Sequence, residues 1–302
     1  MRPPATLGWL LRRPKAWALA ALGGILAWSV WWISLPLRVD AQTPVAVGIH
    51  KVQGAAWRPD RGEPLFFAVL GSDTRVGPPS GGGGRCDAIH IVAINPQAKA
   101  GTILNIPRDS FIGGQKINAN CVGGAERMVG ALKSLSGLPI HYYAITEFSN
   151  FVKLFDDLGG LEVNVPYDMK DSPSGADFRP GPLLMTGGQV LSFSRNRKHA
   201  PGGDFGRTEN QGRVILATLA KFRKEMADPH RLFDYIKLAR RHTATTVPVT
   251  EMIKLALIAR DIDPANVVNK NIPGGTGSAG AASVVFLSPG DIFARVRDDA
   301  IL

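Results

Sequence analysis

From residue 64 onward the chain switches repeatedly between two hydrophobic periods. Apolar runs at 64–70, 88–94 and 101–106 stop at Gly71, at Asn95-Pro96 and at Pro107, which predicts three sequential strands with short connections. Met128, Val129, Leu132 and Leu135 recur at helical spacing, so 123–135 predicts a helix. Residues 142–148 predict a strand, 150–158 a helix closed by Gly159-Gly160, and 161–165 an alternating strand ended by Pro166. The stretch 167–188 is loop-rich, and 189–195 is expected to be a strand. Asp204 is the expected N-cap of a helix to about residue 226, which Asp228-Pro229 ends. Helical stretches at 230–241 and 249–260, a glycine-rich loop at 274–280, a strand at 283–287 and a short helix complete the pattern. Strands interleaved with helices predict an α/β layered domain.

The first 63 residues behave differently. Residues 16–37 carry no charge and include Trp17, Trp28, Trp31 and Trp32, enough for one helical crossing of a bilayer. Arg2, Arg12, Arg13 and Lys15 precede the run, with no acid among residues 1–15. The positive-inside rule then expects a cytoplasmic tail at 1–15, a membrane helix at 16–37, a linker with one edge strand at 38–63, and an extracytoplasmic domain at 64–302. A cleaved signal peptide shares the basic start, but the length of the run and the poor cleavage pattern near Val39–Ala41 favour an anchor.

Composition adds charge. The 302 residues hold 35 Lys and Arg against 25 Asp and Glu, a net +10. The part beyond residue 40 stays basic, which points to an anionic partner. An extracytoplasmic position argues against nucleic acid. With 45% apolar residues the chain can build a core, and two cysteines exclude a disulfide-scaffold mini-protein.

Several short motifs fall at strand ends, where α/β sheets hold ligands. Gly71-Ser72-Asp73-Thr74-Arg75 places an acid and a base two residues apart, and reads equally as a solvated turn. Arg85-Cys86-Asp87 lies across a glycine-rich loop from it, so Asp73 and Asp87 could share a hard cation such as Mg²⁺ or Mn²⁺, or merely cap turns. Arg108 in Ile106-Pro107-Arg108-Asp109-Ser110 offers a planar fork for phosphate, or a surface ion pair with Asp109. In an extended strand Arg195 and Arg197 would share a face, either around an anion or as a solvated basic edge. Arg207 and Gln211 share one face in the first turns of their helix, where an anion is favoured, or stand exposed.

In order and spacing these motifs resemble the LytR-CpsA-Psr family of cell-envelope proteins. The resemblance runs from about Leu65 to Arg223: LGSDTR, RCDAI, INP, ILNIPRDSF, KINAN, LGGLEVNV, FSRNRK and GGDFGRTENQ. It implies a central mixed β-sheet with helices on both faces and a long apolar pocket for a polyprenyl tail. It implies a membrane-anchored, extracytoplasmic phosphotransferase that moves a glycopolymer from a polyprenyl-pyrophosphate carrier to peptidoglycan. By this likeness Asp73 and Asp87 hold Mg²⁺ or Mn²⁺, or one of them takes the acceptor's proton. Arg75, Arg108, Arg195, Arg197 and Arg207 bind the pyrophosphate, Gln211 orients a phosphate oxygen, and Lys116 is a secondary phosphate ligand. Met128, Leu132, Phe151, Leu154 and Phe155 would line the pocket. A Cys86–Cys121 bridge is expected outside the membrane. Ala88 departs from the family's frequent Thr. A lipid-binding protein without turnover, or a pyrophosphatase, are the alternatives at the same site.

Overall fold

The computed structural model describes residues 48–73, 84–198, 200–228, 230–232, 234–235 and 247–302. The segments expected as tail and membrane helix, the linker up to residue 47, Arg75 and part of the helical stretch at 230–241 lie outside the described residues. No described helix is long and apolar enough to cross a membrane.

The strands are β1 (Gly48–Lys51), β2 (Leu65–Ser72), β3 (Cys86–Asn95), β4 (Ala100–Asn105), the two-residue pair β5 (Phe111–Ile112) and β6 (Gln115–Lys116), and β7 (Tyr142–Glu147). There follow β8 (Leu161–Val165), β9 (Met169–Asp171), β10 (Ala176–Phe178), β11 (Gly181–Met185), β12 (Val267–Asn271), β13 (Gly274–Ala279) and β14 (Ala282–Leu287). The helices are α1 (Ala125–Ser136), α2 (Phe148–Asp157), α3 (Gly187–Arg195), α4 (Asp204–Glu225), α5 (Val249–Asp261) and α6 (Ile292–Asp299).

Six strands form one mixed sheet in the order β1-β7-β2-β3-β4-β12. β2 pairs antiparallel with β3 and parallel with β7, and β12 pairs parallel with β4. Alternation along β2 sorts its side chains to two faces. Phe66, Ala68 and Leu70 pack with Met128, Leu132 and Val296 of α1 and α6. Leu65 and Phe67 pack on the other side with Met252 and Leu255 of α5. Burying each large side chain contributes roughly 2 kcal/mol, so the sheet is held from both faces. A further cluster joins β8–β11 to α3 through Val163, Met169, Phe178 and Phe193. The strands at β2, β3, β4, β7, β8 and β14 and the helices α1, α2, α4, α5 and α6 match the sequence pattern.

Three expectations change. Residues 189–195 are helical, because Thr186 and Gln189 form a reciprocal capping box that starts α3. Asp204 is the first residue of its helix; Gly203 is the N-cap, and Gly202 and Gly203 take positive φ values of 74° and 61°. The glycine-rich stretch at 274–280 is a strand, β13, paired along its length with β14.

One irregularity shapes the site. Gly71 pairs with Ala88 but Ser72 pairs with Cys86, so Asp87 is an extra residue without a partner in the ladder, a β-bulge. Ile89 and Ile91 face the α1 side. Strict alternation would send Asp87 there too. The bulge instead returns Cys86 to that core and leaves Asp87, Ala88 and His90 lining a cavity on the opposite face. Cys86 is joined to Cys121 by the expected disulfide, with Cα atoms 5.6 Å apart.

Candidate functional site

A cavity of about 510 Å³ opens where the carboxyl ends of β2 and β7 meet the start of β3. Its lining includes Asp87, Arg108, Arg195, Arg197, Arg207 and Gln211. Four guanidinium groups from three separate motifs thus share one space. Asp73 and Lys116 are not among the lining residues.

Each cation is held differently. Arg108 Nη1 lies 2.6 Å from Asp87 Oδ1. Burial works against its charge, but Asp87, Asp109 and Asp204 outweigh that and raise its pKa. Arg207 is almost wholly buried, 2.7 Å from Asp204 Oδ1, and its Nε has no hydrogen-bond acceptor. Burial pushes its pKa down to about 10; Asp204 opposes this, and the positive charges of Arg108 and Arg197 add to it. Arg207 therefore stays charged at neutral pH. Arg197 reaches the same Asp204 oxygen at 3.0 Å. Its backbone N–H and that of Lys198 donate to Asp171 Oδ2, at 2.8 and 3.2 Å. Burial would raise the Asp171 carboxyl, but these donors and Ser174 hold it below its usual value. Arg195 lies at the end of α3 with its guanidinium carbon 5.2 Å from the Phe148 ring centroid, a cation–π contact. Arg195 and Arg197 meet at the cavity through a helix end, not through strand alternation.

Two expected roles change. Lys116 Nζ is 3.0 Å from Asp109 Oδ1, so its charge is spent beside the cavity. Gln211 donates its amide hydrogens to the carbonyls of Asp87 and Ser194, at 3.3 and 3.2 Å. It ties β3 to α3 and has no donor left for a phosphate oxygen.

Asp73 sits opposite Arg85, accepting that residue's N–H at 2.7 Å on Oδ1. Asp73 and Asp87 therefore flank the same end of the β2–β3 hairpin, each with one oxygen engaged and one left. No group of three or more His, Cys, Asp or Glu suited to a metal occurs among the described residues. Two carboxylates alone are hard oxygen donors of the kind that Mg²⁺ takes together with waters.

Sequence reasoning passed over three cavity residues, His90, Glu147 and Asp171, and gave Asp204 only the role of a helix cap. His90 Nδ1 is 2.8 Å from Asn105 Oδ1, Asn105 donates to Asn269 Oδ1 at 2.7 Å, and Asn269 donates to the Glu209 carbonyl at 3.0 Å. This chain of bonds fastens α4 to the sheet. Burial lowers the His90 pKa to about 4, against the hydrogen bonds to Asn105 and Gln211, and keeps it neutral. For Glu147 a signal existed: it ends an alternating strand, the usual address of a ligand site.

The cavity continues into an apolar one of about 510 Å³. Val69, Leu70, Thr146, Phe151, Val214 and Ile215 line both. Leu154, Phe155, Leu219, Phe222, Met252 and Leu255 line the apolar part alone. Phe151, Leu154 and Phe155 line it as expected. Met128 and Leu132 do not: they are fully buried on the α1 side of the sheet.

Fold and site together define an α/β protein whose cationic cavity, set at strand carboxyl ends, opens into an apolar chamber. The chain belongs to the LytR_cpsA_psr family, whose model matches residues 39–298, well beyond the stretch legible from motifs. It is 33% identical over 168 residues to the polyisoprenyl-teichoic acid–peptidoglycan teichoic acid transferase TagU of Bacillus mycoides, covering 53% of each chain. The chain thus spans about half the length of the curated relatives it matches. Among solved structures it resembles B. subtilis TagV, with TM-score 0.64 and 24% identity, covering 78% of this chain and 95% of that one. It also resembles a LytR-Csp2A-Psr enzyme from Actinomyces oris, with TM-score 0.61 and 22% identity, covering 76% and 89%. These likenesses establish the shared fold.

Proposed function

We propose that this protein is a phosphotransferase that moves a glycopolymer from a polyprenyl-diphosphate carrier to a hydroxyl of peptidoglycan. The observation that carries the reading is the continuity of two environments. Four guanidinium groups line one cavity, and its inner wall is also the wall of an apolar chamber. A ligand filling both has an anionic head and a long apolar tail, which is the chemistry of a polyprenyl diphosphate. The names of the TagU and TagV relatives support the same donor and acceptor.

In this reading the acceptor oxygen attacks the phosphorus next to the sugar. A sugar–phosphate–sugar bridge forms, and polyprenyl phosphate leaves. Phosphoryl transfer asks a protein mainly for positioning and charge stabilisation. Arg207 and Arg108 present the buried charge, Arg195 and Arg197 close the rim, and Asp204 spaces Arg197 from Arg207. Asp73 and Asp87 would hold Mg²⁺, which when bound would neutralise charge on the leaving phosphate. The residues before 38 would anchor the enzyme at the outer face of the membrane, within reach of lipid substrates.

The test is transfer of a labelled lipid-linked glycan to peptidoglycan by the purified full chain. Arg108→Ala and Arg207→Ala are each expected to lower the rate at least a hundredfold, in line with loss of one preorganised donor to a developing anion. Wild-type protein that hydrolyses the donor without joining it to peptidoglycan would replace transferase by pyrophosphatase. Binding with neither outcome would leave a lipid-binding protein.

A further inference from the structure

The cavity is lined by three carboxylates, and they are not equivalent: Asp87, Glu147 and Asp171. Asp87 is committed to Arg108 at 2.6 Å. Asp171 takes two backbone N–H groups, and Asp204, just behind, is shared by Arg197 and Arg207. Glu147 alone among them is uncommitted. Its carboxylate makes no hydrogen bond or ion pair among the described residues. Although Glu147 is the N-cap of α2, its side chain makes no capping bond. Arg195, which lines the same cavity, has its guanidinium over the ring of Phe148. Burial alone raises the carboxyl above its ordinary value.

Its placement is as informative as its freedom. Glu147 is the last residue of β7 and stands in register with Ser72 on the parallel strand β2. It therefore occupies the same end of the sheet as Asp73. A carboxylate with both oxygens unspent, on the wall of a cavity rich in guanidinium groups, can accept a proton without giving up an ion pair, as Asp87 would have to.

We propose that Glu147 is the general base of the transfer. This rests on the functional reading above and goes on to name the residue that activates the acceptor. The proton of the acceptor sugar's hydroxyl passes to a Glu147 carboxylate oxygen as the hydroxyl oxygen forms its bond to phosphorus. The bond from that phosphorus to the bridging diphosphate oxygen breaks, and its electron pair leaves with polyprenyl phosphate. The arginines hold the diphosphate, and Glu147 handles the proton.

The experiment compares full-length wild type, Glu147→Gln and Glu147→Asp with a synthetic polyprenyl-diphosphate disaccharide donor and a soluble muramoyl-glycan acceptor. Glu147→Gln is expected to lower kcat on the order of a hundredfold with the donor KM unchanged, the usual scale for losing a general base. Glu147→Asp is expected to recover part of the rate. With ethanol and trifluoroethanol as surrogate acceptors, the deficit is expected to shrink for the more acidic alcohol. A Glu147→Gln enzyme within threefold of wild type, or one whose whole defect is a raised donor KM, overturns the proposal and leaves the transferase reading standing. Wild type that cannot transfer to any of these acceptors sinks both.

Discussion

Arg207 illustrates how a single side chain is set up for an anion. It is buried, it has one carboxylate neighbour, two other cations lower its pKa, and its Nε lacks an acceptor. Arg207→Lys keeps the charge but loses the planar fork. It is expected to weaken binding of a short-chain polyprenyl diphosphate about tenfold, read by calorimetric titration. Glu225, at the far end of α4, shows the opposite design. Burial would raise its carboxyl, but Lys221, Arg231 and Tyr235 hold it down to about 2. A depressed folded-state pKa contributes stability above the unfolded value near 4.5, lost as pH falls from there toward 2. Thermal melts across that window are expected to fall more steeply for wild type than for Glu225→Gln. At this scale the sequence shows which residues carry charge, but not which charges are already spent. Lys116 and Gln211 read as anion ligands until their partners, far away in the chain, are known.

Elements were legible where one periodicity dominated. The alternation of β8 and the helical spacing of α1 survive folding unchanged because each packs one clean face on a core. Misreadings arose where local chemistry overrode the pattern. Leu191 and Phe193 alternate with Ser192 and Ser194 as in a strand, but the buried Val190, Phe193 and Ser194 lie at helical spacing, and the Thr186–Gln189 cap decides for helix. β13 holds three glycines and one β-branched residue, Thr276, and its pairing with β14 imposes the extended form. α4 presses on the sheet at Gly212, where an added Cβ would lie 2.0 Å from Asn269 Oδ1 and 2.9 Å from Asn105 Oδ1. Gly212→Ala is expected to cost about 1–3 kcal/mol by overpacking and to disturb the Asn105–Asn269 bond, measured by urea unfolding.

Across the molecule, the polar and apolar cavities depend on elements brought together from 49 to 259. No local window contains them, which is why Met128 and Leu132 could be assigned to the wrong face. Thr218→Trp, placed in the apolar chamber, is expected to raise the KM for a long-chain donor at least tenfold while sparing a donor with a five-carbon tail. The disulfide closes a sequence separation of 35, a tie worth about 3–4 kcal/mol in the chain-entropy view. The Cys86→Ser/Cys121→Ser double variant is expected to melt about 10 °C lower by calorimetry. Cys86 faces the core and Asp87 the cavity, rather than the reverse, only because one surplus residue sits at that point of the ladder. A one-residue deletion there would turn the acid into the oily interior or pull the sulfur away from its mate. Tinkering with the length of this strand therefore cannot alter the chemistry and spare the architecture: the two are inherited as one unit.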